Sequence, residues 1–171
     1  MYRIIEYKDN IKVMANKNKD LQILAYFAQK HPKASITVLM KLCYLADLIS
    51  VKREKKQISS FEYRRYNFGP FDNNVYSCVE ELTSKGVLRA ETDYTSTGNE
   101  FVVYHFNEEA GFSFNEVSEK EKGIINELLA SVNGYGAKVL TEIAYKTEPL
   151  KSLGATIDGG ENLNAKLDLS L

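Results

Sequence analysis

Apolar residues recur at helical spacing along much of the chain, which predicts a mainly helical protein. The first predicted helix begins at Asp20, its N-cap, and ends before Pro32. The second follows the capping residue Ser35, and only Lys41 and Asp47 interrupt its central apolar run. Because a helix that is apolar nearly all round is usually surrounded by other elements, we expect this helix at the centre of the core.

Three further helices are predicted from apolar stripes and from residues typical of helix ends. The third begins after Asp72 and ends at Gly86. The fourth begins at a capping box formed by Ser118 and Glu121, and the fifth ends at Pro149. Their apolar residues lie on one side only, so we expect these helices at the surface of the core.

Strands are predicted in two places. Residues 61–66 are rich in aromatic strand formers, and Gly69 and Pro70 break this strand. Residues 87–91 and 100–106 form a predicted hairpin. The fold class is therefore α+β and mainly helical, with about five helices and a small antiparallel sheet or hairpin. The order of elements in the first two thirds is winged-helix-like.

The length of 171 residues suits one domain, so we expect residues 1–171 to form a single unit. Hydrophobic residues make up 44% and charged residues 26%, which is typical of globular proteins. The segment 150–171 contains a Gly-Gly pair and scattered leucines, so we expect it to be poorly packed or extended. No run is apolar enough for a membrane span or a secretory signal, which predicts a cytoplasmic protein.

The net charge of −1 hides an uneven distribution along the chain. Residues 1–65 hold 14 Lys and Arg against 6 Asp and Glu, whereas residues 66–171 hold 8 against 17. The two parts can attract each other within one fold, or the basic part can face an acidic partner.

Few residues are of the kind that catalysis or metal binding requires. Cys43 and Cys78 lie in predicted helices and are too far apart for a metal motif. His31 precedes a proline at a helix end, and His105 lies in an apolar strand, which indicates structural positions. No phosphate-binding glycine loop and no hydrolase motif is present, so we expect no enzymatic activity, cofactor or metal.

The sequence around the Gly-Pro break concentrates residue types that carry binding energy at protein interfaces. An extended strand would place Arg64 and Arg65 on opposite faces, and we expect one of them to pair with a carboxylate or a carbonyl. The alternative is that the aromatic residues are part of the core. The candidate partner-binding residues are Tyr63, Arg64, Arg65, Tyr66, Phe68 and Phe71.

The order of KLCYLADLIS, FEYRRYNFGPF and VYSCVEELTSKGVL resembles the Panacea (SocA-like) domain, a prokaryotic and phage-associated antitoxin family. The resemblance covers about residues 20–148. It implies a mostly helical domain that neutralises a toxin encoded nearby by direct protein binding, or delivers it to a cellular protease. The motif residues that match are Tyr44, Asp47, Arg64, Tyr66, Gly69, Pro70 and Phe71, of which Tyr44, Asp47, Gly69 and Pro70 are structural.

The main alternative is a winged-helix-like DNA-binding regulator of a mobile element or phage. Charge disfavours it, because the predicted recognition helix holds Asp72, Glu80 and Glu81 against Lys85 alone. We therefore expect DNA binding only as part of a complex with the partner. The sequence leaves the oligomeric state and the identity of the toxin open.

Overall fold

The computed structural model describes residues 2–132 and 134–171, with side chains from residue 12 onward. Within these residues the chain is mainly helical, with three two-stranded antiparallel sheets, as the predicted α+β class requires. A 3-10 turn covers Glu108–Ala110. The helices are α1 (Tyr2–Lys30), α2 (Ile36–Glu54), α3 (Asn73–Ser84), α4 (Glu119–Val132), α5 (Ala137–Tyr145) and α6 (Glu148–Lys151). The strands are β1 (Arg64–Tyr66), β2 (Gly69–Phe71), β3 (Leu88–Tyr94), β4 (Glu100–Phe106), β5 (Ala155–Thr156) and β6 (Gly159–Gly160).

The helix α2 is the centre of the core, as its apolar sequence predicts. It packs against α1, α3, α4 and α5 and also contacts strands β2 and β4. Every residue from Val38 to Leu48 is buried, including the charged residues Lys41 and Asp47. The predicted cap is also confirmed, since the Ser35 hydroxyl accepts a hydrogen bond from the Val38 amide at 3.3 Å.

The caps predicted for α3 and α4 are confirmed as well. The Asp72 carboxylate accepts a hydrogen bond from the Asn74 amide at 2.9 Å. In the capping box, the Ser118 amide donates to Glu121 at 2.9 Å and the Glu121 amide donates to Ser118 at 3.2 Å. These reciprocal bonds satisfy two amides that the start of α4 would otherwise leave unpaired.

The start of α1 differs from the prediction, because the helix begins at Tyr2 and not at Asp20. Residues 15–19 are alanine, asparagine and lysine, so they interrupt the apolar spacing that precedes Asp20, and residues 12–18 are exposed in the folded chain. Asp20 is therefore not an N-cap. Its buried carboxylate instead accepts hydrogen bonds from the amide and the hydroxyl of Ser60.

The strand predicted for residues 61–66 is shorter than expected, and it belongs to a hairpin. Only β1 is extended, and β2 returns antiparallel to it, with Arg64 opposite Phe71 and Tyr66 opposite Gly69. Gly69 and Pro70 thus belong to β2, and the turn after β1 lies before them, at residues 67 and 68. The β3–β4 hairpin is confirmed, with seven residues in each strand.

The segment 150–171 is largely extended, but it is better packed than the sequence indicates. Leu167 and Leu169 are buried, with exposed fractions of 4% and 8%. The backbone of the segment follows the free edge of β1, where the Arg65 amide donates to the Ala165 carbonyl at 2.8 Å. Poor packing is therefore wrong for these two leucines, because the unpaired edge of a short strand offers backbone groups that the segment can pair with.

Candidate functional site

The β1–β2 hairpin places the predicted binding residues around a tight turn. Gly69 has φ +91°, a conformation that favours glycine over all other residues. The Tyr145 hydroxyl on α5 lies 3.3 Å from the carbonyls of both Tyr66 and Asn67, to which it can donate. Tyr145 of α5 thus holds the core-facing side of the turn, and the opposite side, with Phe68, is exposed to solvent.

Alternation along β1 decides which predicted residues reach the surface. Tyr63 and Arg65 are buried, with exposed fractions of 1% and 3%, whereas Arg64 and Tyr66 are exposed. The placement of the two arginines on opposite faces is confirmed. Tyr63 and Arg65, which the sequence predicts to contact a partner, have side chains inside the fold and are therefore not part of the exposed surface.

Both arginines pair with backbone carbonyls of the C-terminal segment. The Arg65 guanidinium donates to Gly159, and that of Arg64 donates to Asn164 at 3.0 Å. Among the described residues, the Nε of Arg65 has no hydrogen-bond partner. Arg65 therefore connects the hairpin to β6, and Arg64 remains available at the surface.

Four aromatic rings form an exposed surface beside the turn. We call the group formed by Tyr66, Phe68, Phe71 and Tyr76 the aromatic surface. Phe68 at the tip of the turn is 72% exposed, Tyr66 and Tyr76 are 45% and 46% exposed, and Phe71 is half-buried. The ring centroids of Tyr66 and Phe71 are 5.0 Å apart, and those of Phe71 and Tyr76 are 5.7 Å apart. Tyr66, Phe71 and Tyr76 thus form a continuous row from the hairpin to α3, and Phe68 lies beside it.

A pocket of about 190 Å³ opens between this row of rings and α2. Its walls are the aromatic surface, Gly69 and Met40, and Lys41 also lines it. The Lys41 ammonium donates to the Pro70 carbonyl at 3.0 Å, and the residue is only 3% exposed. Among the described residues, no acidic side chain lines the pocket.

The charge of Lys41 is unusual for its surroundings. Burial lowers the pKa of Lys41 to about 8, because water stabilises an ammonium far better than an apolar pocket does. An ammonium carries three donors, and within the described part of the chain the Pro70 carbonyl is the acceptor found for them. Sequence reasoning did not select this residue, although a lone lysine in an apolar helix was a signal that could have identified it.

Asp47, the other charged residue of α2, holds the loop before β1. Its buried carboxylate accepts hydrogen bonds from the amides of Ile58 and Ser59, both at 2.9 Å, and from the Tyr63 hydroxyl at 2.7 Å. Burial raises the pKa of Asp47, and these donors oppose that effect. The Tyr44 ring packs edge-on against Tyr63, with centroids 5.4 Å apart. Both motif residues therefore act on the framework beneath the hairpin.

A comparison with family models identifies the chain. The family described as "Antitoxin SocA-like, Panacea domain" matches residues 39–149, which is more than half of the chain. The chain belongs to this family. Searches of curated proteins and of solved structures found no match. Membership supports an antitoxin role in general, and an antitoxin family implies a toxin as partner.

The region that matches the Panacea domain contains the candidate site except for Thr37, which also lines the pocket. The match begins within α2, not at residue 20, and extends to the start of α6, so it includes Lys41, the β1–β2 hairpin and the aromatic surface. It leaves out α1 and most of the C-terminal segment. The residues that Arg64 and Arg65 contact, Asn164 and Gly159, therefore lie outside the matched region.

The nucleophilic and metal-ligating side chains of the Panacea domain are not grouped. Burial raises the pKa of the Cys78 thiol to about 12 and that of Cys43 well above its usual range. In the described ranges, no three His, Cys, Asp or Glu residues come together to hold a metal ion. Across residues 2–132 and 134–171, no helix combines the length and the apolar character that crossing a membrane requires.

The helix α3, which would be the recognition helix of a winged-helix protein, has an acidic surface. Asp72 caps it, and Glu80 is exposed. Glu81 forms ion pairs at 2.6 Å with both Lys17 and Lys85. The basic residues near α3 are thus engaged with a carboxylate, and the helix does not offer phosphates a positive surface.

Proposed function

We propose that this protein is an antitoxin that neutralises a cognate protein toxin, encoded nearby, by direct stoichiometric binding through the aromatic surface and Arg64. The single observation that supports this most is the continuous row of partly exposed rings beside Phe68. Exposed aromatic groups that adjoin a pocket are typical of protein interaction sites. The chain acts in this proposal as a binding partner and carries out no turnover.

The surface has the composition of an interface centre. Tyr and Arg dominate the residues whose truncation weakens protein complexes, because their large side chains exclude water and also donate hydrogen bonds. Tyr66, Tyr76 and Arg64 are of this kind, and Phe68 adds a large apolar group. The hairpin below them is held by Lys41 and Tyr145, so binding requires little ordering of the backbone.

The test is to express the neighbouring reading frame alone, with the wild-type protein, and with a Phe68→Ala variant. Because Phe68 is 72% exposed, we expect the substitution to change the free energy of unfolding by less than about 0.5 kcal/mol. We expect it to weaken co-purification of the toxin at least about tenfold, as loss of an interface hot spot does. Growth rescue should fall in parallel.

Tyr94→Ala is the matched control. Tyr94 is 57% exposed and lies at the tip of the β3–β4 hairpin, outside the aromatic surface. It should leave rescue and co-purification unchanged. The proposal is wrong if the neighbour is harmless alone, if it is equally harmful with the wild-type protein, or if both variants weaken binding equally.

The same experiment separates direct neutralisation from delivery to a protease. With direct neutralisation, the toxin accumulates as a complex, whereas delivery would lower its amount in a protease-dependent way. A gel shift with short duplex DNA tests the regulator alternative. We expect binding only when the toxin is present, because α3 by itself repels phosphates.

A further inference from the structure

The pocket beside Lys41 combines a buried ammonium with walls that, among the described residues, hold no acidic side chain. A buried cation normally has an anionic partner, because the interior stabilises charge poorly. The exposed fraction of Lys41 is 3%. Among the described residues, the hydrogen-bond acceptor found for its ammonium is the neutral Pro70 carbonyl. Besides Lys41 and Gly69, the pocket walls hold the four rings, Met40 and Thr37 and, in the part of the chain described, no carboxylate.

We propose that this pocket receives a glutamate side chain of the polypeptide partner, whose carboxylate pairs with the Lys41 ammonium while its stem lies against the aromatic walls. This inference rests on the proposed function, since it assigns the chemistry of the partner at the same surface.

The backbone above Lys41 keeps the ammonium within reach of a ligand. A side chain at position 69 would place its first carbon 3.9 Å from the Lys41 Nζ and 3.6 Å from the Tyr145 ring. Because Gly69 has no such carbon, no side chain at this position lies between the Lys41 Nζ and the pocket that both residues line. A carboxylate side chain that enters the pocket can therefore approach the Lys41 ammonium.

The extent of the rings favours a polypeptide over a small anion. The ring centroids of Tyr66 and Phe71 are 5.0 Å apart and those of Phe71 and Tyr76 are 5.7 Å apart, so the row of rings extends from the hairpin onto α3. A small anion would cover the ammonium alone and leave these rings in water. A glutamate flanked by apolar residues would cover both.

Blocked peptides test the proposal on the full chain without a toxin. The probe is acetyl-Ser-Leu-Glu-Leu-Ser-amide, and the control replaces its glutamate with glutamine. A second control, acetyl-Ser-Ser-Leu-Gln-Leu, has a free terminal carboxylate as its only acid. The readout is the NMR signal of the ¹³C-labelled ε-methylene of Lys41, identified by its absence in the Lys41→Met variant.

We expect the glutamate peptide to shift this signal saturably and to raise the pKa of Lys41 from about 8 by roughly one to three pH units, as a nearby opposite charge does. The glutamine peptide should bind at least about tenfold more weakly, since it lacks the charge. In Lys41→Met, the amide signal of Gly69 should respond equally weakly to both peptides.

The proposal is overturned if the glutamate and glutamine peptides bind wild-type protein equally or not at all. Binding of the free-terminus peptide alone also overturns it, because the carboxylate would then come from a chain end. The wild-type comparison is decisive even if Lys41→Met does not fold. Failure of toxin neutralisation leaves this result untouched, so the two proposals fail separately.

Discussion

Lys41 carries an ammonium that is almost wholly buried, with an exposed fraction of 3%. It lies in the centre of the apolar helix α2, and burial lowers its pKa from 10.5 to about 8. At pH 7, below this pKa, Lys41 is still mostly charged in the folded protein, although burial penalises the charge. A lowered pKa of this size corresponds to a cost of about 3 kcal/mol at pH 7.

The substitution Lys41→Met should stabilise the protein at pH 7. Methionine has about the length of the lysine stem, so it fills the same space without the cost of burying a charge. The loss of the hydrogen bond to the Pro70 carbonyl lowers the free energy of unfolding by about 1 kcal/mol. We expect a net gain of about 2 kcal/mol in the free energy of unfolding. Urea denaturation at pH 7 measures it.

The gain should depend on pH in a defined direction. The folded protein releases the Lys41 proton near pH 8 and the unfolded chain near 10.5, so wild-type stability from this group rises with pH between these values. The difference between variant and wild type should therefore shrink over this interval. A difference that stays constant from pH 7 to 10.5 would show that Lys41 is not the titrating group.

At the scale of elements, the C-terminal segment completes the hairpin that carries the candidate site. Its backbone pairs with β1 through the Arg65 amide at 2.8 Å and through the Tyr63 carbonyl, which accepts from Leu167 at 2.9 Å. Three residues in β1 are too few for an independent sheet, so neighbouring backbone contributes to its stability. The segment thereby supports a binding surface that lies outside it.

Truncation of one leucine tests this support. Leu167→Ala should lower the free energy of unfolding by about 2–4 kcal/mol, because Leu167 is 96% buried. Leu163→Ala is the control in the same segment, and since Leu163 is 53% exposed we expect a change below about 0.5 kcal/mol. Thermal denaturation compares the two variants. Equal effects would mean that the segment does not pack as described.

Across the whole molecule, opposite charges from the two parts of the chain meet. Among the residues whose side chains the structure describes, four ion pairs join a basic residue of positions 12–65 to an acidic residue of positions 66–171, so at least part of the uneven charge is neutralised within the fold. These pairs are Lys17–Glu81, Lys19–Glu121, Lys33–Asp93 and Arg53–Glu127. The basic part is therefore not wholly available to an acidic partner.

The pair Lys19–Glu121 is the least exposed of these, with its atoms 2.6 Å apart, and it joins α1 to the capping box of α4. A double-mutant cycle with Lys19→Met and Glu121→Gln should give a coupling of about 0.5–1 kcal/mol at low salt. We expect a small fall of the coupling in 1 M salt, because the Lys19 side chain is 26% exposed and salt screens solvent-exposed charge. An unchanged coupling would argue against an electrostatic origin.

Much of the fold could be predicted because its signals are local. The Ser35 cap, the capping box at Ser118 and the β3–β4 hairpin depend on neighbouring residues, and the structure has all three. The packing of Leu167 could not be predicted, because it depends on an edge of β1 that exists only after folding. The missed start of α1 has another cause: Ile4, Tyr7, Ile11 and Met14 recur at helical spacing, but the polar residues 16–19 interrupt this stripe before Asp20.

For the candidate site, the sequence by itself determined that Arg64 and Arg65 face opposite ways, since a strand has a period of two. It also determined the family, through the order of its motifs. Only the tertiary structure decided that Arg65 and Tyr63 point inward, that Tyr76 joins the rings of the hairpin, and that Lys41 lies beneath them. The physical reason is that alternation fixes relative faces, whereas burial depends on which elements pack against each face.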